Sequence, residues 1–521
     1  MVPSGVWSWG HINESRNLSI HDVSLEAKEE PMDQKFMNHL QKTPTRPLHV
    51  VHLDLKGAAP KVEYFKQIFP LLSSLGADGI LVEYEDMFPY EGELQIIRSP
   101  FAYSIEEIEE IKTLAKLNKL ELIPLVQVFG HLEFVLKHEK YFHLREVAMF
   151  PNSLNPLAPG ALKLVEEMLI QVLQRHPEAQ WIHVGADEVW DLGESEDSKL
   201  WLKENGGDVG VLFLRHVTAV CLFLAELRSG IKILFWEDML RKMSAVAIKD
   251  SQLPNLAFPV LWNYLPNMDM GNIGKLLSKY QEAGFSGMWF ASAFKGASEV
   301  DQMWTPINHH LQNHLSLLKV IKSIIQYPSI TLQGIALTGW QRYRHHTVLC
   351  ELLPVAIPSL AVCLQTLKYG SFNYEAEMEV HHILGCKVQL DTNSCEGSGQ
   401  FAGSKVYYMV HKIYYDLQSS IKKIMKNTHL RGSLSPYNRK YSFANPRDIG
   451  LFKDNLKKLL DEWESFLKMF ETEMEAIFYP DTVEEWMEEN INQHMNMLRA
   501  LVQDAEHIAK LKGRSKSYNP F

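Results

Sequence analysis

The stretch LHVVHLDLKGAAPKVEYFKQIFPLLSSLGADGILVEY, residues 48–84, joins two apolar runs through a helical pattern. The runs at 48–55 and 79–84 are largely apolar along their whole length, which is typical of parallel strands covered on both faces. The segment VEYFKQIFPLLSSLG between them has apolar residues at the spacing of an amphipathic helix. This stretch therefore predicts one strand–helix–strand unit of a parallel sheet.

The same alternation recurs along the chain. Helical patterns separate further apolar runs at 120–128, 181–185, 231–236, 257–262, 287–291 and 332–340. Eight strand–helix repeats predict an α/β fold, a (β/α)8 TIM barrel domain over residues 47–368. A doubly wound open sheet is the structural alternative, and the count of eight favours the barrel.

The two flanking regions differ from the barrel pattern. Residues 1–46 are polar and irregular, so we predict a flexible N-terminal tail. Residues 370–400 contain Gly, Ser and Asn and predict a loop, and three helical patterns follow at 404–427, 448–478 and 482–511. We therefore predict a helical C-terminal region, 369–521, which either packs on the barrel or forms the face of a homodimer.

Composition limits the classes of partner. The 521 residues include 52 basic and 63 acidic ones, a formal charge of −11, which is unfavourable for binding nucleic acid. The five cysteines form no CxxC motif and no signal peptide is visible, so we expect reduced thiols and a cytoplasmic location, with the nucleus as a further compartment. The apolar segment 210–227 carries Arg215, His216 and Glu226, which predicts a buried helix and no membrane partner.

Chemistry in a barrel of this kind is expected where the strands end. Carboxylates are frequent after the second and fourth predicted strands, and Trp recurs after the fourth, fifth, sixth and eighth. Indole rings can cover the C–H faces of a pyranose, while carboxylates bind hydroxyls and transfer protons. This combination predicts a sugar site built from Glu83, Glu85, Asp86, Asp187, Glu188, Trp190, Trp236, Trp262 and Trp340.

The sharpest local motif is HVGADE, residues 183–188. Adjacent residues on a strand point in opposite directions, so Asp187 and Glu188 are poorly suited to face each other across a sugar ring. We predict instead that one carboxylate transfers a proton and the other supports the substrate.

Seven stretches of the sequence together resemble one known family. The HxGxDE motif is similar to the signature of the family 20 β-N-acetylhexosaminidases, which is usually HxGGDE. The resemblance covers about residues 47–355 and is greatest to an intracellular branch of that family found in animals. It rests on HLDLKGA (52–58), VEYEDMFPYEGEL (82–94), IPLVQVFGHLEFVLKH (123–138), HLREV (143–147), HVGADEVWDLGE (183–194), TGWQRYRHH (338–346) and CELLP (350–354).

The resemblance implies a retaining exo-acting glycosidase that needs no cofactor and no metal. Its substrate would be a glycoconjugate or oligosaccharide with a terminal β-linked N-acetylhexosamine, whose own acetamido oxygen is the nucleophile. Glu188 would be the general acid and base, protonated at the working pH in a partly desolvated site, and Asp187 would orient the acetamido group. The substrate-binding residues implied in the same way are His131, Trp236, Trp262, Tyr264 and Trp340.

The sequence also departs from the family pattern. Asp54 or Lys56 occupies the region where larger relatives carry an arginine for the sugar hydroxyls. The acidic residue expected shortly after the eighth-strand Trp is missing, and Glu351 is a candidate to replace it. These gaps leave the choice between N-acetylgalactosamine and N-acetylglucosamine open, with the resemblance favouring galactosamine.

Alternative interpretations remain at this stage. A non-catalytic carbohydrate-binding barrel would use the same aromatic residues, although its acid position would then be damaged and Glu188 is intact. A metal-dependent hydrolase would need a closer histidine pair on the first strand than His49 and His52. His310 and His314 have the spacing of metal ligands, but we predict a solvated helix face for them, and we place His345–His346 at a helix N-terminus.

Overall fold

The structure, a computed structural model, describes residues 46–513, so the predicted tail at 1–46 lies outside the described residues except for Arg46. Eight parallel strands close into a barrel: β1 Leu48–Asp54, β2 Gly79–Glu83, β3 Glu121–Leu125, β6 Trp181–His183, β7 Lys232–Trp236, β8 Ala257–Trp262, β9 Gly287–Lys295 and β10 Thr331–Gly339. Strands β4 Arg145–Val147 and β5 Phe150–Leu154 form a separate hairpin after β3. All eight predicted strands are present, and the parallel pairing of β10 with β1 excludes the open sheet.

Helices surround the barrel in alternation with its strands. They are Val62–Ser74, Ile105–Leu117, Glu133–Leu136, Ala161–Arg175, Glu196–Glu204, Val209–Leu227, Ala245–Asp250, Met270–Ala283, Ile307–Ser323 and Leu353–Tyr369. In the described part of the chain, Val209–Leu227 is the one helix long and apolar enough to cross a membrane. Its face around Phe213, Val217 and Leu224 is buried in the core between barrel and helices.

The barrel interior is filled by side chains in layers. Residues two apart on a strand point to the same face, so alternate positions face inward. The apolar part of the interior consists of Val50, Leu81, Ile123, Leu125, Trp181, Leu234, Trp236, Val260, Trp289, Ala291 and Ala336. Trp181 and Trp289 meet edge to face with ring centroids 5.2 Å apart. Two residues beyond Leu81 and Trp181, the inward positions are Glu83 and His183, so the carboxyl end of the barrel becomes polar.

The segment predicted as a loop at 370–400 is more ordered than expected. It contains a helix at Tyr374–Leu384 and a hairpin of β11 Lys387–Gln389 and β12 Ser394–Glu396. The hairpin brings the Cα atoms of Cys386 and Cys395 to 5.5 Å, and the two residues form a disulfide. The expectation of reduced thiols throughout is therefore wrong for this pair, whereas Cys221, Cys350 and Cys363 are free and buried.

The C-terminal region is helical, as predicted, and contacts the barrel. Its α-helices are Ser404–Lys412, Gln418–Met425, Thr428–Ser433, Pro436–Tyr441, Pro446–Gly450, Lys453–Glu475, Pro480–Met487 and Gln493–Lys510, with π-helical turns at Ile413–Leu417 and Glu488–Asn492. The Thr482 hydroxyl donates to the Gly57 carbonyl at 2.9 Å. Arg342, in the loop after β10, forms an ion pair with Glu485. These contacts fix the region against the loops after β1 and β10.

Candidate active site

The residues predicted to form the site converge at the carboxyl end of the barrel. Trp236 is the last residue of β7 and Trp340 follows β10, yet their ring centroids lie only 5.9 Å apart. The other five predicted residues follow strands at the same end: His131 after β3, Asp187 and Glu188 after β6, and Trp262 and Tyr264 at and after the end of β8. The fold thus places all seven around one mouth.

The turn after β6 has an unusual backbone that presents Asp187 and Glu188. Gly185, Ala186 and Glu188 have φ values of 62°, 68° and 45°, which an L-residue adopts at a cost of about 1–3 kcal/mol each unless its surroundings hold it. Two hydrogen bonds with the Gln127 side chain help to stabilise this backbone conformation. Its Oε1 accepts from the Ala186 N–H at 3.1 Å, and its Nε2 donates to Asp187 Oδ1 at 3.2 Å.

This turn corrects one expectation from the sequence. Asp187 and Glu188 do not point in opposite directions, because β6 ends at His183 and the left-handed turn redirects the chain. His131 Nε2 lies 3.4 Å from Asp187 Oδ2 and 3.6 Å from Glu188 Oε2. Both carboxylates therefore face a single imidazole.

The electrostatics of these three groups are linked. Burial opposes a charge on His131, but the Asp187 carboxylate and hydrogen bonds to both acids outweigh it and hold the imidazole pKa well above its usual value. Burial favours the protonated form of Glu188, yet the hydrogen bond and charge of His131 lower its pKa. Both shifts favour a proton on His131 over one on Glu188. These directions run against the expectation of a protonated Glu188, which stays a prediction for the site with substrate bound.

Asp238 connects the catalytic turn to the aromatic wall. It follows β7, and its Oδ2 accepts from the Glu188 backbone N–H at 3.0 Å while its Oδ1 accepts from Trp262 Nε1 at 3.3 Å. Burial, reinforced by the charges of Asp187 and Glu237, raises the pKa of Asp238 to about 7. Asp238 thus positions both the turn and one wall of the site.

The aromatic side chains form two neighbouring surfaces. Trp262 stacks on Tyr264 with ring centroids 5.3 Å apart and an interplanar angle of 21°. Trp236 is only 1% exposed and forms the floor, whereas Trp262 and Trp340 are half-buried. Burial raises the pKa of Tyr264, and the nearby charges of Asp187 and Glu188 add to the effect. Tyr264 therefore remains a neutral hydroxyl.

Comparison with known proteins identifies the family. The model of the glycosyl hydrolase family 20 catalytic domain matches residues 68–267. Hexosaminidase D of Homo sapiens is 45% identical over 464 residues, which cover 89% of this chain and 95% of that protein. The chain belongs to glycosyl hydrolase family 20. It is a glycoside hydrolase, a β-N-acetylhexosaminidase, and the alternative of a non-catalytic sugar-binding barrel is wrong.

Two further similarities complete the comparison. Hexosaminidase D of Bos taurus is 54% identical over 338 residues, covering 65% of this chain and 97% of that protein. The X-ray structure of the Flavobacterium johnsoniae chitobiase has a TM-score of 0.49 and 14% identity, over 89% of this chain and 78% of that chain. Membership of a hexosaminidase family implies oligosaccharide substrates that end in an N-acetylhexosamine.

In this hexosaminidase, Lys56 is buried among carboxylates after β1. Its ammonium is 3.1 Å from Asp54 Oδ1, 3.3 Å from Glu85 Oε1 and 3.7 Å from Glu83 Oε1. Burial alone would lower the pKa of Lys56, but these carboxylates hold it well above the usual value. The ammonium also lies 5.7 Å from the Trp340 ring centroid, so this charged cluster borders the aromatic floor.

Two histidine predictions are wrong for the hexosaminidase. His345 and His346 lie in the loop after β10 instead of at a helix N-terminus, and His345 Nδ1 is 3.0 Å from Glu85 Oε2. His310 and His314 are fully buried and not solvated, because their helix turns that face toward β9. Burial lowers the pKa of His314 to about 4, so its neutral ring donates to the His310 carbonyl and accepts from the Ser292 hydroxyl, both at 2.8 Å.

The remaining predicted side chains have structural partners. Buried His183 accepts from the Gly185 N–H at 2.9 Å and so supports the turn after β6. Glu351, the candidate for the missing acidic residue, is fully buried and accepts from the Gly296 N–H at 2.9 Å. Sequence reasoning assigned no role to Gln127 or Asp238. For Gln127 the available signal was a polar residue inside the apolar run VQV, and for Asp238 it was the FWED motif at a strand end.

Proposed function

We propose that this hexosaminidase is a retaining exo-enzyme that removes terminal β-linked N-acetylgalactosamine or N-acetylglucosamine by substrate-assisted catalysis. The observation that carries the proposal is that Asp187 and Glu188 come from one turn and face the same imidazole. A protein nucleophile would need a second carboxylate about 5–5.5 Å from the acid, on the other side of the sugar. A substrate that brings its own acetamido oxygen needs none.

In the first step, Glu188 donates a proton to the glycosidic oxygen as the bond to the anomeric carbon breaks. The acetamido oxygen attacks that carbon from the opposite face, which closes an oxazolinium ring and releases the alcohol. Asp187 accepts the hydrogen bond of the acetamido N–H and stabilises the positive charge that develops on the ring. Because the nucleophile is part of the substrate, its effective concentration is high and the barrier falls.

In the second step, the Glu188 carboxylate removes a proton from water on the face that the leaving group has vacated. The hydroxide attacks the anomeric carbon and the oxazolinium ring opens. Two inversions give a product with the original β configuration, and the proton that Glu188 takes from water returns to His131 when the product leaves.

His131 supplies the proton that Glu188 needs at the start of each turnover. Burial disfavours the imidazolium, and Asp187 makes the largest contribution that stabilises it. Its Nε2 is 3.6 Å from Glu188 Oε2. When the acetamido N–H binds Asp187, it satisfies part of that negative charge and weakens the hold on the imidazolium. The proton then passes to Glu188, which the entering sugar desolvates.

The walls account for the sugar class. The half-buried Trp262 and Trp340 offer apolar surface for the pyranose ring and the acetamido methyl group, with Trp236 packed against Trp340, and Tyr264 offers a hydroxyl to the acetamido oxygen. Lys56 and its carboxylates are buried and paired with one another beside Trp340, so they support this ring from behind. The preference for N-acetylgalactosamine follows from the sequence resemblance and not from this cluster.

Kinetics of two variants test the proposal. Glu188→Gln keeps the side-chain shape but cannot donate a proton, so kcat on nitrophenyl β-N-acetylgalactosaminide should fall by roughly 10²–10⁴-fold while substrate binding persists. The kcat of Asp187→Asn should fall by a similar factor. Glu196→Gln, whose side chain is 96% exposed in the helix that follows, is the matched control and should retain full activity.

An inhibitor gives a second arm to the same test. A thiazoline that imitates the oxazolinium ring should inhibit the wild-type enzyme far more strongly than N-acetylgalactosamine does. The proposal fails if the thiazoline does not inhibit, or if Glu188→Gln turns over the aryl glycoside at a rate near that of the wild type.

A further inference from the structure

Trp190 stands apart from the aromatic residues that form the sugar pocket. It lies two residues after Glu188 and is 43% exposed, whereas the floor residue Trp236 is 1% exposed. Its backbone is held by two hydrogen bonds. The backbone N–H donates to the Glu188 carbonyl at 2.7 Å, and the carbonyl accepts from the Ser153 hydroxyl of β5 at 2.8 Å. A large apolar ring is thus held at the rim instead of being buried.

The indole also has a defined relation to the acid. The Trp190 side chain lies near the Glu188 carboxyl and adds to the His131 effects that lower its pKa. A general acid must come within about 3 Å of the atom that it protonates, here the glycosidic oxygen. The group that leaves with that oxygen must therefore pass beside the Trp190 ring.

The two aromatic sets consequently serve different parts of a substrate. Trp236, Trp262, Tyr264 and Trp340 surround the sugar whose anomeric carbon reacts. Trp190 is more exposed than the Glu188 side chain, 43% against 20%, and the rest of the substrate must extend toward solvent from the exo-cleaved bond. An exposed indole face beside that bond matches the apolar C–H face of a second pyranose ring.

We propose that Trp190 is the platform for the first sugar of the leaving group and makes the enzyme selective for oligosaccharides over glycosides of small alcohols. The proposal rests on the proposed function, because it takes Glu188 as the residue that protonates the leaving oxygen. It deepens that function by naming the class of leaving group, a pyranose that stacks on the indole.

The test compares two unactivated substrates of the same sugar. One is the disaccharide of N-acetylgalactosamine β-linked to galactose, whose leaving group is a pyranose. The other is methyl β-N-acetylgalactosaminide, whose leaving group is methanol and has no ring to stack on the indole. In Trp190→Ala, kcat/KM for the disaccharide should fall roughly five- to fiftyfold more than kcat/KM for the methyl glycoside. In Trp190→Phe, which keeps an aromatic face but lacks the N–H, most of the preference for the disaccharide should remain.

The controls separate the possible causes. Tyr374→Ala removes another exposed aromatic side chain, 72% exposed in the helix Tyr374–Leu384, and should alter neither substrate. An equal loss of kcat/KM on both substrates in Trp190→Ala would mean that Trp190 acts only through Glu188, and it would overturn the proposal. No change on either substrate would overturn it as well. If the wild-type enzyme cleaved neither glycoside nor any aryl hexosaminide, the proposed function itself would fail.

Discussion

Replacing Asp238 with Asn tests two effects of one buried carboxyl group: the pH dependence of stability and the positioning of the turn after β6. Burial first, and then the charges of Asp187 and Glu237, raise the pKa of Asp238 from 3.8 to about 7. The folded protein therefore binds this proton more tightly than the unfolded chain does. As the pH rises through the interval between the two pKa values, the unfolded chain loses its proton first, so the native state is progressively destabilised until about pH 7. Asn does not titrate and escapes this effect.

The expected magnitudes follow from the pKa and the two hydrogen bonds. With pKa values of 3.8 unfolded and about 7 folded, linkage predicts that the unfolding free energy of Asp238→Asn, relative to wild type, gains about 2–3 kcal/mol between pH 5 and pH 9. The Asp238 carboxylate accepts one hydrogen bond from the Glu188 backbone N–H and one from the Trp262 indole N–H. In Asn one of the two acceptor oxygens is replaced by an NH₂ group, so one of these hydrogen bonds is lost. Losing one charge-assisted bond of about 1.5–3 kcal/mol predicts roughly a 10- to 150-fold lower kcat.

Chemical denaturation at five pH values from 5 to 9, with kcat measured in parallel, checks both parts. Asp250→Asn, an exposed carboxylate in the helix Ala245–Asp250, is the control and should track the wild type at every pH. A difference in unfolding free energy between Asp238→Asn and wild type that stays constant from pH 5 to 9 would refute the raised pKa. Unchanged kcat would refute the positioning role.

Two further substitutions address the turn and the C-terminal region. In Gly185→Ala the new Cβ would lie 1.9 Å from Gln127 Oε1 at a φ of +62°, so we expect a loss of at least about 1–3 kcal/mol in unfolding free energy and of most activity; wild-type kcat would contradict the strained turn. Glu485→Gln weakens the ion pair with Arg342 in the loop after β10, so we expect a severalfold lower kcat/KM with about 1 kcal/mol or less in stability. The control Glu473→Gln weakens the surface ion pair with Lys405 in the same region and should leave kcat/KM unchanged. Equal effects of the two variants would show that the Glu485–Arg342 pair does not position the loop after β10.

The fold was largely accessible from the sequence because the signals were local and repeated. Runs such as GILVE at 79–83, buried at every position, and the helical segments between them predict a doubly covered parallel sheet without knowledge of long-range contacts. The hairpin and disulfide at 386–396 were missed because cysteine pairing depends on a register that spacing alone does not define. His310 and His314 were misplaced because helical spacing shows that two residues share a face, but not which face is buried.

The site was predictable in its members but not in its geometry. The strand-end rule and the family resemblance together selected Asp187, Glu188 and the aromatic residues, and all of them meet at one end of the barrel. The left-handed turn that redirects both carboxylates toward His131 depends on hydrogen bonds with Gln127 and Asp238. These two residues follow β3 and β7 and are 50 to 60 residues from their partners in the turn. Such long-range partners leave no local pattern in the sequence, which is also why the raised pKa of His131 could not be anticipated.

The most direct test of the account is whether the substrate's acetamido oxygen is the nucleophile. Aryl N-acetylgalactosaminides with zero, one, two and three fluorine atoms on the acetyl methyl group bind similarly, but each fluorine makes the carbonyl oxygen a weaker nucleophile. We predict that kcat/KM falls at every step, by roughly a hundredfold or more across the series. A rate that stays constant along the series would contradict the account, because attack by a protein carboxylate or by water would not depend on that oxygen.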